Sequence, residues 1–392
     1  MMLLRLTFWI VLLVPLTACG GGPSRYTSLD LALLPCEQGS APIFFRAVEF
    51  DAAGQPVFQH QVEELRDRLH SGPPVTDLVF FVHGWNKNPS SAELDYQNFL
   101  CRLHARLRTI IGDQKRADGL LVVGVFWPST ITNEGHDPLL VKPVSYYQIR
   151  ARADSIAKTG LTSLLKSLTP VLAERRGGLP VRLQLVGHSF GGRMLIRALE
   201  ELQSSSVLVP LLQAAGTVNV VLLNAAVPPV RFEWLSEAIV RAKQQNVPGR
   251  FTKETDSYLF NVHSFQDTAN RVLFPVASLF SDDPATCAAG ACGVPSFATL
   301  CVDTSGKIRP RGKLAQPETT AGIRLNAWNV DATRIVFDHT DIYKGRIATL
   351  VADLLYDKGG ESFRGVADSA RQDPAARCAF LNDEQPGVQP SR

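Results

Sequence analysis

The sequence has no block of like charge. Its 40 basic and 37 acidic residues nearly cancel, to a formal net charge of +3. That balance excludes the basic footprint of a nucleic-acid binder. There is no internal repeat and no low-complexity tract, which excludes a solenoid array. The N-terminal apolar stretch, Leu6 to Leu16, ends against Pro15-Leu16 and falls short of the roughly 20 residues a membrane span needs. Histidine is missing from "CAAGACGVPSFATLC", residues 287–301, and its cysteine spacing is not that of a zinc ribbon. A disulfide-stapled loop is expected there rather than a metal site. What remains is ordinary globular composition, 45% hydrophobic and 20% charged, enough for one large α/β domain or two small ones.

The first 18 residues read as a secretory signal: Arg5, an apolar core, then small residues. Leu16-Thr17-Ala18-Cys19 resembles the lipobox of bacterial lipoproteins. That resemblance implies cleavage before Cys19, lipid on Cys19, and a membrane-anchored protein of the bacterial cell envelope. Gly20, not Asp, follows the cysteine, which by the same resemblance favours the outer membrane over the inner. Residues 19–42 are expected to be a tether and N-terminal extension, 43–360 a single domain, and 361–392 a C-terminal tail. Six cysteines remain beyond Cys19: Cys36, Cys101, Cys287, Cys292, Cys301 and Cys378. An exported chain meets an oxidising compartment, so disulfides are expected, with the pairing left open.

Apolar runs alternate with helical patterns through the domain. "IFFRAVEFD", "TDLVFFVHGWN", "GLLVVGVFWPS", "VRLQLVGHS", "TVNVVLLNAAVP", "SYLFNVHSFQD" and "ATRIVFDH" read as strands, the last of them closing the series. Amphipathic segments separate most of them. Strands spaced by helices predict an α/β fold with a mostly parallel sheet and helices on both faces. Such sheets carry their sites at the carboxyl ends of strands. Residues 275–320 are rich in Pro, Ser, Gly and Cys and show no period. They are expected to be an irregular insertion bordering the site, a lid or a wall.

"LVGHSFGGRM" carries the chemistry. Gly187-His188-Ser189-Phe190-Gly191 fits G-x-S-x-G, a pattern that a chain of this length shows by chance about once in ten cases. Here a strand precedes the serine and a helix follows it, the context a nucleophile elbow requires. A serine hydroxyl needs a base, and the base needs an orienting carboxylate. Of eight histidines only His263 and His339 follow Ser189. His263 lies inside a strand, whereas His339 lies in a loop at a strand's carboxyl end, and His339 is the better base. Asp267, just past the "YLFNVHSF" strand, is the favoured carboxylate. Asp282, Asp283, Asp303 and Asp331 compete with it, and Asp338 and Asp341 flank the histidine too closely to orient its ring. An oxyanion would be met by the N–H of Phe190 and by that of Trp85 in "VHGWNKN", with Asn86 as the second candidate for the latter place. His83 and His188 precede the serine and read as hydrogen-bonding neighbours rather than bases.

"FFVHGWN", "VFWPS", the Tyr146-Tyr147 helix entrance, "LVGHSFGGRMLIRAL", "VVLLNAAVP" and the "DH" before the last helix together resemble the α/β-hydrolase superfamily. Within it, they are most similar to bacterial DUF900-type hydrolases. The resemblance spans roughly residues 76–356. Phe190 and Gly192 stand where those hydrolases often have Met and Asn, and the cysteine-bearing insertion has no counterpart in the pattern. The resemblance implies the α/β-hydrolase fold and ester-type hydrolysis. A lipid-anchored serine hydrolase acting on a small-molecule or lipid ester is therefore expected. It would work without metal or organic cofactor and would take no nucleic acid. An acyltransferase, an amidase or peptidase, or a non-catalytic surface lipoprotein are the alternatives.

Overall fold

The computed structural model describes residues 33–34, 36, 43–87, 89–111, 119–131, 142–174, 181–244, 258–275, 287–304, 308–309 and 327–356. The signal segment, Cys19, most of the tether, the tail 361–392, Asp282 and Asp283 lie outside them. No helix among the described residues is long and apolar enough to cross a membrane.

Ten strands form one sheet: β1 (Leu33–Leu34), β2 (Ile43–Glu49), β3 (Asp77–Val82), β4 (Leu120–Phe126), β5 (Arg182–His188), β6 (Thr217–Leu223), β7 (Tyr258–His263), β8 (Ala298–Val302), β9 (Ile308–Arg309) and β10 (Ala327–Asp331). Their spatial order is β1-β2-β4-β3-β5-β6-β7-β10-β8-β9. The pairings from β2 through to β8 are parallel, and the two short edge strands β1 and β9 are antiparallel. The fold is thus α/β with a mostly parallel sheet.

The helices are α1 (Gln59–Ser71), α2 (Pro89–Ile111), α3 (Lys142–Ile156), α4 (Thr162–Glu174), α5 (Phe190–Ser204), α6 (Leu208–Ala214), α7 (Pro229–Gln244), the single turn α8 (Ala289–Cys292) and α9 (Gly345–Tyr356). A π turn, Ala157–Leu161, joins α3 to α4, and the Ala157 carbonyl there accepts both the N–H and the hydroxyl of Thr162, the latter at 2.8 Å. Strands buried on both faces explain the near-continuous apolar runs. Leu78, Phe80 and Val82 of β3 face a core shared with α1 and α3 to α7. Val79 and Phe81 face a second core shared with α2 and α9.

Two expectations are corrected. "ATRIVFDH" is not the last strand. That strand is β10, "AWNVD", and residues 332–340 turn away from the sheet. Ile335 and Val336 both donate their N–H to the Ala332 carbonyl (2.9 Å each), which is turn geometry. Asn329 made the true strand look interrupted. Its buried amide accepts the Val294 N–H and donates to the carbonyls of Val294 and Phe297, partners that no local pattern reveals. The insertion 275–320 is likewise not wholly irregular: its described part contributes α8, β8 and β9, with β8 parallel to β10. Within it Cys287 is bonded to Cys292, while Cys36 is bonded to Cys101 of α2.

β3 and β5 are neighbours, yet the chain winds outward from them in opposite directions along the sheet. The connections leaving their carboxyl ends therefore run to opposite sides, which makes this edge the switch point where parallel sheets carry their sites. Both the "HGWN" loop and Ser189 are there.

Candidate active site

Ser189 caps α5 directly after β5, with φ +55° and ψ −119°. A side chain in this region of backbone space costs on the order of 1–3 kcal/mol and persists only where its surroundings impose it. Here the Ser189 N–H donates to Leu223 O (3.0 Å), and its carbonyl accepts from Arg193 N and Ala226 N (3.2 Å each). The elbow also needs glycine at 191, where a Cβ would lie 2.1 Å from Val82 O. Among the described non-glycine residues, positive φ occurs at Asn86, Ser189, Asn224 and Ser206. The first three sit just past the carboxyl ends of β3, β5 and β6, which are side by side, so the strain is concentrated at one edge.

His339 and Asp267 come to the same edge from sequence distances of 150 and 78 residues. Ser189 Oγ donates to His339 Nε2 (2.7 Å), and His339 Nδ1 donates to Asp267 Oδ2 (2.8 Å). Asp267 has no exposed surface, while the His339 side chain keeps 18%. A buried carboxylate needs its lone pairs satisfied, and Asn270 does this. Its N–H donates to Asp267 Oδ1 (3.0 Å) and its Nδ2 to Oδ2 (2.8 Å). The same Nδ2 donates to the Asn224 carbonyl at the end of β6 (2.5 Å). Asn270 was not legible in the sequence as a site residue. The only local signal is its place three residues after Asp267, the spacing of a side-chain cap.

Asp331 and Asp341 are occupied elsewhere. Asp331 accepts from Thr333 N. Asp341 accepts the N–H groups of Phe337 and Asp338 and so shapes the loop carrying His339. Burial pushes the Asp341 carboxyl up, but hydrogen bonds from Lys344 and from these N–H groups outweigh it and leave it below the usual carboxylate value. His263 lies buried in β7, its pKa lowered chiefly by burial, with Asp331 opposing.

The "HGWN" loop packs directly on the elbow: a Cβ on Gly84 would lie 2.9 Å from Ser189 Cβ, so only glycine allows the approach. The Trp85 ring stands edge-on to Phe190 (6.3 Å) and to Tyr146 (5.8 Å). The Asn86 N–H donates to the Ser129 carbonyl (2.9 Å), which takes it out of the oxyanion role. The Phe190 N–H heads α5, where no preceding turn can accept it. His83 anchors the loop. Its Nδ1 donates to Gly84 O (2.8 Å), its Nε2 accepts from Trp127 N (3.3 Å), and its ring stacks on Trp127 (5.6 Å). Burial lowers its pKa to about 3, as suits a ring that must both donate and accept.

The described part of the insertion reaches this site through α8. Gly290 N donates to Ala225 O (3.1 Å), Ser264 N to Gly290 O (3.1 Å), and Ala288 N to the carbonyl of Asn270 (3.5 Å). Compared with protein-family models and with curated proteins, the chain matches none.

Proposed function

We propose that this chain is a serine hydrolase of the α/β-hydrolase fold that cleaves carboxylic esters through an acyl-enzyme. The observation that carries the reading is the hydrogen-bonded row Ser189–His339–Asp267 at the carboxyl edge of a parallel sheet. In this reading Ser189 Oγ attacks the acyl carbonyl carbon as His339 Nε2 takes its proton. The carbonyl electrons move to oxygen, which the N–H groups of Phe190 and Trp85 meet. Trp85 is preferred to Asn86 because the Asn86 N–H is already given to Ser129. The tetrahedral species expels the alcohol, protonated by His339. Water activated by the same imidazole then frees the acid and Ser189. Asp267 holds the ring and balances its transient charge.

The test is labelling by a fluorophosphonate probe together with turnover of a panel of p-nitrophenyl esters. Wild-type protein should be labelled and turn over esters, and Ser189→Ala should lose both with an unchanged circular dichroism spectrum. Labelling that survives in Ser189→Ala defeats the assignment. We further propose a lipid on Cys19, on the strength of the Leu16-Thr17-Ala18-Cys19 boundary. This would hold the enzyme at the bacterial envelope, facing lipid or small-molecule esters. Mass spectrometry of the mature N-terminus should find a modified Cys19, and an unmodified first residue other than Cys19 contradicts it.

A further inference from the structure

We propose that His188 and Tyr343 form a hydrogen-bonded hub that holds the base loop, the nucleophile and the oxyanion loop in one register. Both would be positioning residues of the hydrolysis proposed above, and the inference rests on that reading.

The loop bearing His339 is pinned upstream by the Ser264 hydroxyl, which donates to the Val336 carbonyl (2.6 Å), but beyond that point its backbone has little to hold it. Phe337, Asp338 and Thr340 are exposed, and the backbone bonds on either side of His339 are local ones to Asp338 and Asp341. The backbone of His339 itself is tied to the site by His188, whose Nε2 donates to the His339 carbonyl (3.0 Å). His188 is the residue before the nucleophile. The bond therefore couples the backbone of the base to the strand end that carries Ser189, and bears directly on the 2.7 Å separation of Nε2 and Oγ.

That bond dictates a tautomer. With Nε2 as donor, Nδ1 of a neutral ring must accept. Tyr343 supplies the donor: its hydroxyl gives a hydrogen bond to His188 Nδ1 (3.2 Å), and Gly84 of the "HGWN" loop packs on the same ring, where a Cβ would lie 2.8 Å from Nδ1. The ring of Tyr343 stands edge-on to that of His188 (5.4 Å), and the rings of His188 and His339 lie 4.9 Å apart. Two hydrogen bonds and the close Gly84 contact thus join the loop that carries His339 and Tyr343, the end of β5 that leads to Ser189, and the "HGWN" loop. His188 is buried and Tyr343 partly so, and desolvation disfavours the charged form of each, so the directions of these bonds persist.

Three variants and two readouts test the hub. Tyr343→Phe removes one hydroxyl and keeps the ring. His188→Leu removes both nitrogens, and His188→Gln returns an N–H near the Nε2 position. In Tyr343→Phe and His188→Leu, ester kcat and the rate of fluorophosphonate labelling should fall roughly 10- to 100-fold, with KM changed by less than about 2-fold. His188→Gln should recover part of the loss. If His188→Leu does not fold, Tyr343→Phe carries the kinetic arm. The second readout needs no turnover: nitrogen NMR of histidine-labelled protein should find His188 with its proton on Nε2, and should find the His339 resonances displaced in Tyr343→Phe. Wild-type kcat in Tyr343→Phe, or a His188 proton on Nδ1, overturns the hub. Wild-type protein that takes no probe overturns the hydrolase reading instead, and NMR then decides the hub by itself.

Discussion

At the scale of single residues, the site depends on polar groups whose lone pairs are fully assigned. Asp267, itself without exposed surface, accepts from His339 and twice from Asn270. Asp267→Asn puts an amide where three donors converge. One donor must then lose its acceptor, or His339 must turn over to the wrong tautomer. The expected result is a loss of about 10³- to 10⁴-fold in ester kcat with the fold intact. Steady-state kinetics beside a thermal melt would check it. A variant within about 10-fold of wild type would show that the carboxylate does not orient the base. The oxyanion donors show the same bookkeeping of lone pairs. Trp85 is the first candidate there and Asn86 the second, and the bond from Asn86 N to Ser129 O removes the second.

At the scale of elements, α8 is the unusual piece. Four residues cannot sustain a helix alone. This turn persists because its backbone is bonded to the carboxyl ends of β6 and β7 and because Cys287 and Cys292 close it. A Cβ on Gly290 would meet the Asn224 backbone at 2.2 Å, a measure of how closely it is seated. Removing the crosslink in the double variant Cys287→Ser, Cys292→Ser should lower stability by about 2 kcal/mol, the entropy of closing so short a loop in the unfolded chain. Urea unfolding measures this, and an unchanged midpoint would refute it. The sheet was legible because apolar runs broken by amphipathic helices dictate parallel strands. The position of β10 was not, because buried amides such as Asn261 and Asn329 pair with each other across strands (3.0 Å) and look polar in isolation.

At the scale of the whole molecule, three buried histidines set the response to pH. Burial lowers His83 to about 3 and lowers His188 and His263 as well. In the unfolded chain each takes a proton below about pH 6.5, while the native protein leaves them neutral. The unfolded state then binds more protons, so native stability falls as the pH drops from about 6.5 towards the folded values. Each neutral histidine contributes up to about 1.4 kcal/mol per pH unit. The urea midpoint should therefore decline steadily through mild acid. A midpoint that stays flat between neutrality and about pH 5 would show that these rings are not held neutral.

The alternation of strands and helices, the strand-turn-helix setting of Ser189, and the order Ser189, Asp267, His339 were all present in the sequence alone. Each rests on short-range rules: residue period, glycine at a sharp turn, and position relative to a strand end. Only the tertiary structure decided that Asn270 holds Asp267, that Asn86 is committed to Ser129, that β8 joins the sheet from within the insertion, and that His188 at the end of β5 bonds both His339 and Tyr343. Most of these depend on directional bonds between atoms that are far apart along the chain. A hydrogen bond reaches about 3 Å, and which atoms come that close is set by how the whole chain packs rather than by residue spacing.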